Sequence, residues 1–233
     1  MGNLYSNPDS SQLGPKRLIT IGIVVLLFVG FGYYLFKVGG GVPTSNSVDF
    51  DVSNVKFTDQ LREVQAADHI LGKVEAKNTM VAFEDIQCPA CKNYEPILKS
   101  FATELKDTKV IFRHYPLPTH KNAGLAALAS ESASSQGKFW EWVNLAYDRQ
   151  EKWSELSDPT EIFVEMAKEV RVVDLEKFRL DVQNKTFKNR VQEDVREAFA
   201  LKVGGTPSLY FNGVKLELAG LDEIKKQVEK LYK

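Results

Sequence analysis

The stretch from Met80 to Cys91, Met-Val-Ala-Phe-Glu-Asp-Ile-Gln-Cys-Pro-Ala-Cys, constrains the fold more than any other part of this chain. Met80 to Phe83 is an apolar run between Lys77-Asn78 and Glu84-Asp85, the pattern of a strand covered on both faces of a sheet. Beyond Cys91, the residues Tyr94, Ile97, Leu98, Phe101, Ala102 and Leu105 recur at helical spacing, with Lys92, Asn93, Lys99, Thr103 and Lys106 between them. A strand therefore feeds directly into a helix, and a C-x-x-C sits on the junction. At a helix start the unpaired backbone N–H groups and the positive end of the dipole stabilise a thiolate, which makes Cys88 the candidate nucleophile.

Two other readings of the motif stand beside this one. Free cysteines pack as small hydrophobes, but C-x-x-C spacing brings both sulfurs onto one turn. His114 and His120 are separated by five residues, within the histidine spacing of finger-like zinc sites. The 22 residues between Cys91 and His114 hold an amphipathic helix and the strand-like Lys109-Val-Ile-Phe-Arg113, whereas a finger keeps that gap near a dozen or so. Redox chemistry ranks first, zinc second and inert packing third.

The flanking sequence builds a domain around the junction. Val48 to Phe57 reads as an extended lead-in, Thr58 to Ala67 as a short helix capped by Thr58 or Asp59, and Asp68 to Gly72 as a strand and turn. With Lys109 to Arg113 the motif makes a βαβ unit, and Pro96, which has no N–H to donate, kinks its helix. A rigid loop, His114-Tyr-Pro-Leu-Pro-Thr, ends at a capping Thr119. From His120 to Lys202 the chain is almost wholly helical. Ala123, Ala126, Ala127, Ala129 and Ala133 suit a closely packed helix ended by Gly137. Phe139, Trp142, Val143 and Ala146 share one face of the next helix, and Ile162, Phe163, Met166, Ala167 and Val170 follow the start signal Asp158-Pro159. Phe178, Val182, Val191, Val195 and Phe199 supply the last helices. The aromatic stripe reads as core, and Glu141, Glu155, Glu161 and Glu165 as solvated faces. Strand grammar returns at Pro207, a permitted strand-opening proline, with Asn212-Gly213 as a hairpin turn. A helix from Leu221 to Leu231 closes the domain.

The N-terminus carries the second strong signal. Leu18 to Phe36 is 19 residues without a charge, flanked by Lys16-Arg17 and Lys37. As a helix it spans roughly 28 Å, enough to cross a bilayer. Its length and the weak cleavage pattern at Val38-Gly-Gly40 favour an uncleaved anchor over a signal peptide. The basic flank places residues 1–17 in the cytoplasm, and residues 37–57, with Gly-Gly-Gly-Val-Pro-Thr-Ser-Asn-Ser, read as a linker to an extracytoplasmic domain over 58–233. The net charge of −1 gives no sign of a nucleic-acid partner. Neither G-x-G-x-x-G nor a P-loop occurs, so no organic cofactor is expected, and no metal ligand is assigned.

Four segments together carry a family resemblance: Phe83-Glu-Asp-Ile-Gln-Cys-Pro-Ala-Cys91, Phe112-Arg-His-Tyr-Pro-Leu, Gln136-Gly-Lys-Phe-Trp and Gly204-Gly-Thr-Pro-Ser-Leu-Tyr-Phe-Asn-Gly. Over about residues 65 to 232 the chain resembles the DsbA-like thiol:disulfide oxidoreductases of the thioredoxin superfamily, in their membrane-tethered bacterial form. The resemblance implies an α/β thioredoxin fold with a helical subdomain, about residues 119–202, inserted between its βαβ and ββα halves. It makes Cys88 the attacking cysteine, Cys91 the resolving one, and Thr206-Pro207 a cis-proline, substrate-binding loop facing the disulfide. Pro96 matches the kink proline of the family's active-site helix. The inner dipeptide Pro89-Ala90 lacks the histidine or aromatic of some strongly oxidising relatives, so the direction of exchange stays open.

The implied activity is donation of the Cys88–Cys91 disulfide to exported protein thiols. With only two cysteines in the chain, a separate membrane redox partner would reoxidise the pair. A reductase or isomerase of the same fold and a non-catalytic thioredoxin-like or zinc-binding module are the alternatives.

Overall fold

The computed structural model describes residues 48–232. The expected tail 1–17, the anchor 18–36 and the first part of the linker lie outside the described residues. Among the described residues no helix is long and apolar enough to cross a membrane. In chain order the elements are β1 (His69–Gly72), β2 (Asn78–Glu84), α1 (Pro89–Glu104), β3 (Thr108–His114), α2 (Ala123–Ser134), α3 (Phe139–Asp148), α4 (Gln150–Trp153), α5 (Thr160–Glu169), α6 (Leu175–Gln183), α7 (Lys188–Ala200), β4 (Ser208–Phe211), β5 (Val214–Lys215) and α8 (Leu221–Glu229).

The apolar run before the cysteines is the central strand of a five-stranded sheet ordered β1-β3-β2-β4-β5. β2 runs parallel to β3, with Met80 opposite Val110, and antiparallel to β4, with Phe83 opposite Ser208. Alternation along β2 explains why it reads as continuous apolar sequence. Met80 and Ala82 pack with Leu209 and Phe211 against Leu98 and Phe101 of α1 and Ile224 and Val228 of α8. Val81 and Phe83 pack on the opposite face with Ile111, Tyr210 and Ala198 of α7. The α1 face built by Tyr94, Ile97, Leu98, Phe101, Ala102 and Leu105 meets the sheet as its spacing predicts. At the hairpin, Asn212 and Gly213 take φ of 49° and 89°, the left-handed pair that a two-residue turn between twisted strands requires.

The stretch between β3 and β4 is helical, from α2 to α7, and forms its own core. Trp142, Trp153, Phe163 and Phe178 are fully buried. Phe163 meets both indoles edge-on, with ring centroids 5.3 Å apart in each pair, so the aromatic stripe is packing. Each such burial stabilises by about 1.5–3 kcal/mol. This core also takes in Ile86, Cys88 and Cys91, so the insertion forms one wall of the motif.

Three local expectations are corrected. Thr58 to Ala67 forms no helix, because its donors go to α7: the Thr58 N–H reaches Ala200 O at 3.0 Å and the Arg62 N–H reaches Glu197 Oε1 at 2.9 Å. The cap of α2 is Asn122, not Thr119. The loop stays open for three more residues because the Leu117 N–H and the His120 ring are tied to Asp85. Val48, Phe50 and Val52, assigned to a linker, pack on the helical core, with the Asp51 N–H donating to Gln192. Phe199 stands on α7 as expected, 37% exposed and with its ring centroid 5.8 Å from that of Phe57.

Candidate active site

Cys88 is the N-cap of α1 and Pro89 opens the helix. Proline suits that position because its missing N–H is one a helix start leaves unpaired anyway. The Cys88 N–H donates to Asp85 O at 2.9 Å, which closes the turn that swings the chain from β2 into α1. Pro89 and Ala90 are exposed while Cys91 is wholly buried on the inner side of the same turn. Both cysteines are thiols in this structure.

The two sulfurs sit in opposite electrostatic settings. A hydrogen bond from the Cys91 thiol is the main reason that the Cys88 thiol falls to about 5; Thr206 and the N–H groups of Cys91 and Ala90 add to it and outweigh burial. Burial is the main reason that Cys91 rises well above the ordinary thiol value, and its bond to Cys88 and the nearby Glu84 carboxyl reinforce it. At neutral pH the turn therefore presents one thiolate, Cys88, with a protonated thiol behind it.

Thr206 and Pro207 complete the front of the site. Antiparallel pairing of β4 with β2 sets the start of β4 beside the end of the strand that delivers the cysteines. The Thr206–Pro207 bond is cis, and the Cys88 thiol donates to Thr206 O at 3.3 Å. The Thr206 hydroxyl is buried and unpaired, leaving a donor beside the sulfur once Cys88 ionises.

Several polar residues around the cysteines are invisible to motif reading. Glu84, at the end of β2, is buried; its Oε2 accepts from Tyr147 of α3 at 3.0 Å. Burial first, then the charges of Cys88 and Asp85, push its carboxyl up to about 8, against the hydrogen bond from Tyr147. Asp85 is fully buried. It accepts from the Gln87 N–H, the Leu117 N–H and His120 Nδ1, and its own N–H points to Cys91 Sγ at 3.5 Å. The only sequence signal for the pair was a Glu-Asp step ending an apolar strand just before the C-x-x-C.

The histidines weighed as zinc ligands have carboxylate partners. His120 meets Asp85 at 2.6 Å, and His114 shares Glu131 Oε1 with His69, at 3.0 and 2.7 Å. The sequence-singled residues Cys88, Cys91, Thr206 and Pro207 meet at one site, and His114 belongs to a separate buried cluster.

The family model described as Thioredoxin matches residues 65–230. A probable disulfide bond formation protein D from Bacillus anthracis is 32% identical over 225 residues, which cover 94% of this chain and 98% of that one. The crystal structure of oxidised BdbD from Bacillus subtilis superposes with a TM-score of 0.65 at 27% identity, over 76% of this chain and 98% of that one. The thiol-disulfide exchange protein α-DsbA2 from Wolbachia pipientis, at 20% identity and a TM-score of 0.60, covers 72% of this chain and 88% of its own and shares the fold. A relative named Na(+)/H(+) antiporter NhaA 1, from Mycolicibacterium vanbaalenii, is 31% identical over 212 residues, or 89% of this chain. The chain spans about a third of that relative's length, 32%.

Proposed function

This chain belongs to the thioredoxin family, and from that premise we propose that it is a membrane-tethered, extracytoplasmic thiol:disulfide oxidoreductase that donates its Cys88–Cys91 disulfide to exported proteins. The observation that carries the proposal is the asymmetry of the pair, with a stabilised Cys88 thiolate at the helix start and Cys91 buried behind it. The names of the disulfide bond formation relatives support the same chemistry. The antiporter-named relatives are matched over only 22% to 32% of their length, and ion transport is not carried over from them.

In the oxidised protein a substrate thiolate attacks Cys88 Sγ, the Cys88–Cys91 bond breaks, and its electron pair leaves on Cys91. Burial disfavours a thiolate there, so Cys91 takes a proton. The adjacent Glu84 carboxyl, which burial pushes up to about 8 and whose Oε1 is buried without a partner, is suited to supply it at neutral pH. A second substrate thiolate then attacks the substrate sulfur of the mixed disulfide, and Cys88 leaves as a thiolate. Two substrate thiols become one disulfide and the protein ends reduced. A thiolate that leaves easily stabilises the reduced form and so favours oxidation of the substrate, which argues for an oxidase over a reductase or isomerase. The Thr206 carbonyl beside Cys88 and the turn at Pro207 offer an extended substrate a backbone partner. A separate membrane redox partner would take the electrons, since the chain has no second cysteine pair.

The tether rests on the uncharged segment 18–36 and its basic flank. Expressed as the full chain, Cys91→Ala is expected to trap mixed disulfides between Cys88 and exported proteins, in the membrane fraction and open to protease added outside intact spheroplasts. Adducts with cytoplasmic proteins, or none at all, would contradict the proposal.

A further inference from the structure

We propose that His120, clamped by Asp85 in the loop before α2, is a positioning residue that sets a cation against the Cys88 thiolate from outside the C-x-x-C. The proposal rests on the reading of Cys88 as the exchanging sulfur and adds a residue outside the motif to it.

The geometry converges on Asp85. Its carbonyl holds the Cys88 N–H at 2.9 Å, and its N–H faces Cys91 Sγ at 3.5 Å. Its buried carboxylate, with 0% of the side chain exposed, meets His120 Nδ1 at 2.6 Å. A single residue thus ties both cysteines and the imidazole into one frame. Gln87 doubles the connection: its N–H donates to Asp85 Oδ1 at 2.8 Å, while its Oε1 accepts the Asn122 N–H at 2.6 Å, two residues past His120. The loop carrying His120 therefore keeps its register with the sulfurs.

A carboxylate can only accept, so the Nδ1 facing it carries a proton, and the imidazolium is the form it favours. The hydrogen bond to Asp85 is the main reason that His120 is raised from its ordinary value; burial opposes this, and the Asp85 and Cys88 charges add to it. Coupling between two charges is reciprocal: if the Cys88 thiolate favours the imidazolium, the imidazolium favours the thiolate by the same free energy. The charged groups that act on His120 are Asp85 and Cys88 on the turn, and Lys121 is its neighbour in the loop. The ammonium of Lys121 is directed to Glu155 O at 3.2 Å. With 24% of its side chain exposed against 0% for Asp85, His120 lies between the buried carboxylate and solvent. When the mixed disulfide is resolved, Cys88 needs no proton of its own: it leaves as a thiolate into the field of a cation already in place.

Two measurements on the full chain test this. In His120→Gln, the pH midpoint for alkylation of Cys88 is expected to rise by about one unit, the size of shift that one nearby opposite charge produces. His120→Lys should restore at least half of that shift, which a packing role would not. An unchanged midpoint in His120→Gln, or equal midpoints in the Gln and Lys variants, overturns the proposal. The unaltered protein gives a second test free of folding effects: by nuclear magnetic resonance the His120 ring should titrate at higher pH in the reduced protein than in the oxidised one. Identical titration in both states overturns the proposal. If Cys88 is not the faster-alkylating thiol in the unaltered chain, the parent reading fails instead, whatever His120 does.

Discussion

Two cysteines three positions apart differ because one lies in front of a helix start and the other behind it. Cys88 gains hydrogen bonds that favour its anion, from Cys91, Thr206 and two helix N–H groups. Cys91 loses solvent and faces the Glu84 carboxyl. In the reduced protein, rapid alkylation should therefore show a half-maximal rate near pH 5 and map to Cys88, with Cys91 unreactive through neutral pH. The same shift has a sign for stability. Because the folded value of Cys88 lies below its unfolded one, the reduced domain gains stability relative to the oxidised one as pH rises from about 5 to 9, and loses it as pH falls back through 5. The slope is at most about 1.4 kcal/mol per pH unit. Denaturation of both forms across that window checks it, and a gap that narrows with rising pH contradicts it. At this scale the sequence spoke for the cysteines and Pro207, whose types are rare and chemically pointed. It was silent on Glu84 and Asp85, since a carboxylate beside an apolar run reads as the strand's solvated end. Only the wall of helices over β2 makes Glu84 a buried acid.

Elements followed from periodicity wherever their partners were their own turns. β2, α1, the aromatic helices, the Asn212-Gly213 hairpin and α8 are all legible, because the apolar residues that repeat in sequence are the ones buried against a neighbour. Thr58 to Ala67 fails for the complementary reason. Its polar residues satisfy groups distant in sequence, centred on Arg113 of β3, which is fully buried and bonded to Asp68 and Glu197. Arg62 joins Asp68, Asp194 and Glu197, and Arg190 joins Asp194. On α7, Asp194 and Glu197 look like one more solvated face, and nothing local marks them as the sheet's ionic cover. Removing one member of such a cluster leaves the others charged and dry. Arg113→Met should therefore cost about 3–5 kcal/mol in denaturant unfolding, with the reactivity of Cys88 retained in the folded fraction. A loss under about 1 kcal/mol would show that the cluster is not a keystone of the sheet.

Across the whole molecule, a small sheet supplies the junction that places the cysteines, and the helical insertion supplies the wall that buries one of them. That division of labour explains why the βαβ motif alone was enough to point to the chemistry, while the burial of Glu84 and the pairing of His120 with Asp85 came to light only with the tertiary fold. Glu84 faces α3 through Tyr147, and His120 stands at the entry to α2, so both depend on the insertion. The direction of exchange is a property of this entire arrangement, since every contact that favours the Cys88 thiolate makes the dithiol state easier to reach. The most direct measurement is an equilibrium titration of the Cys88–Cys91 pair against glutathione. The account predicts a single two-electron disulfide with a potential in the oxidising half of the range from about −270 to −120 mV spanned by dithiols of this chemistry. A potential at or below the reducing end, or two thiols that never pair, would contradict it.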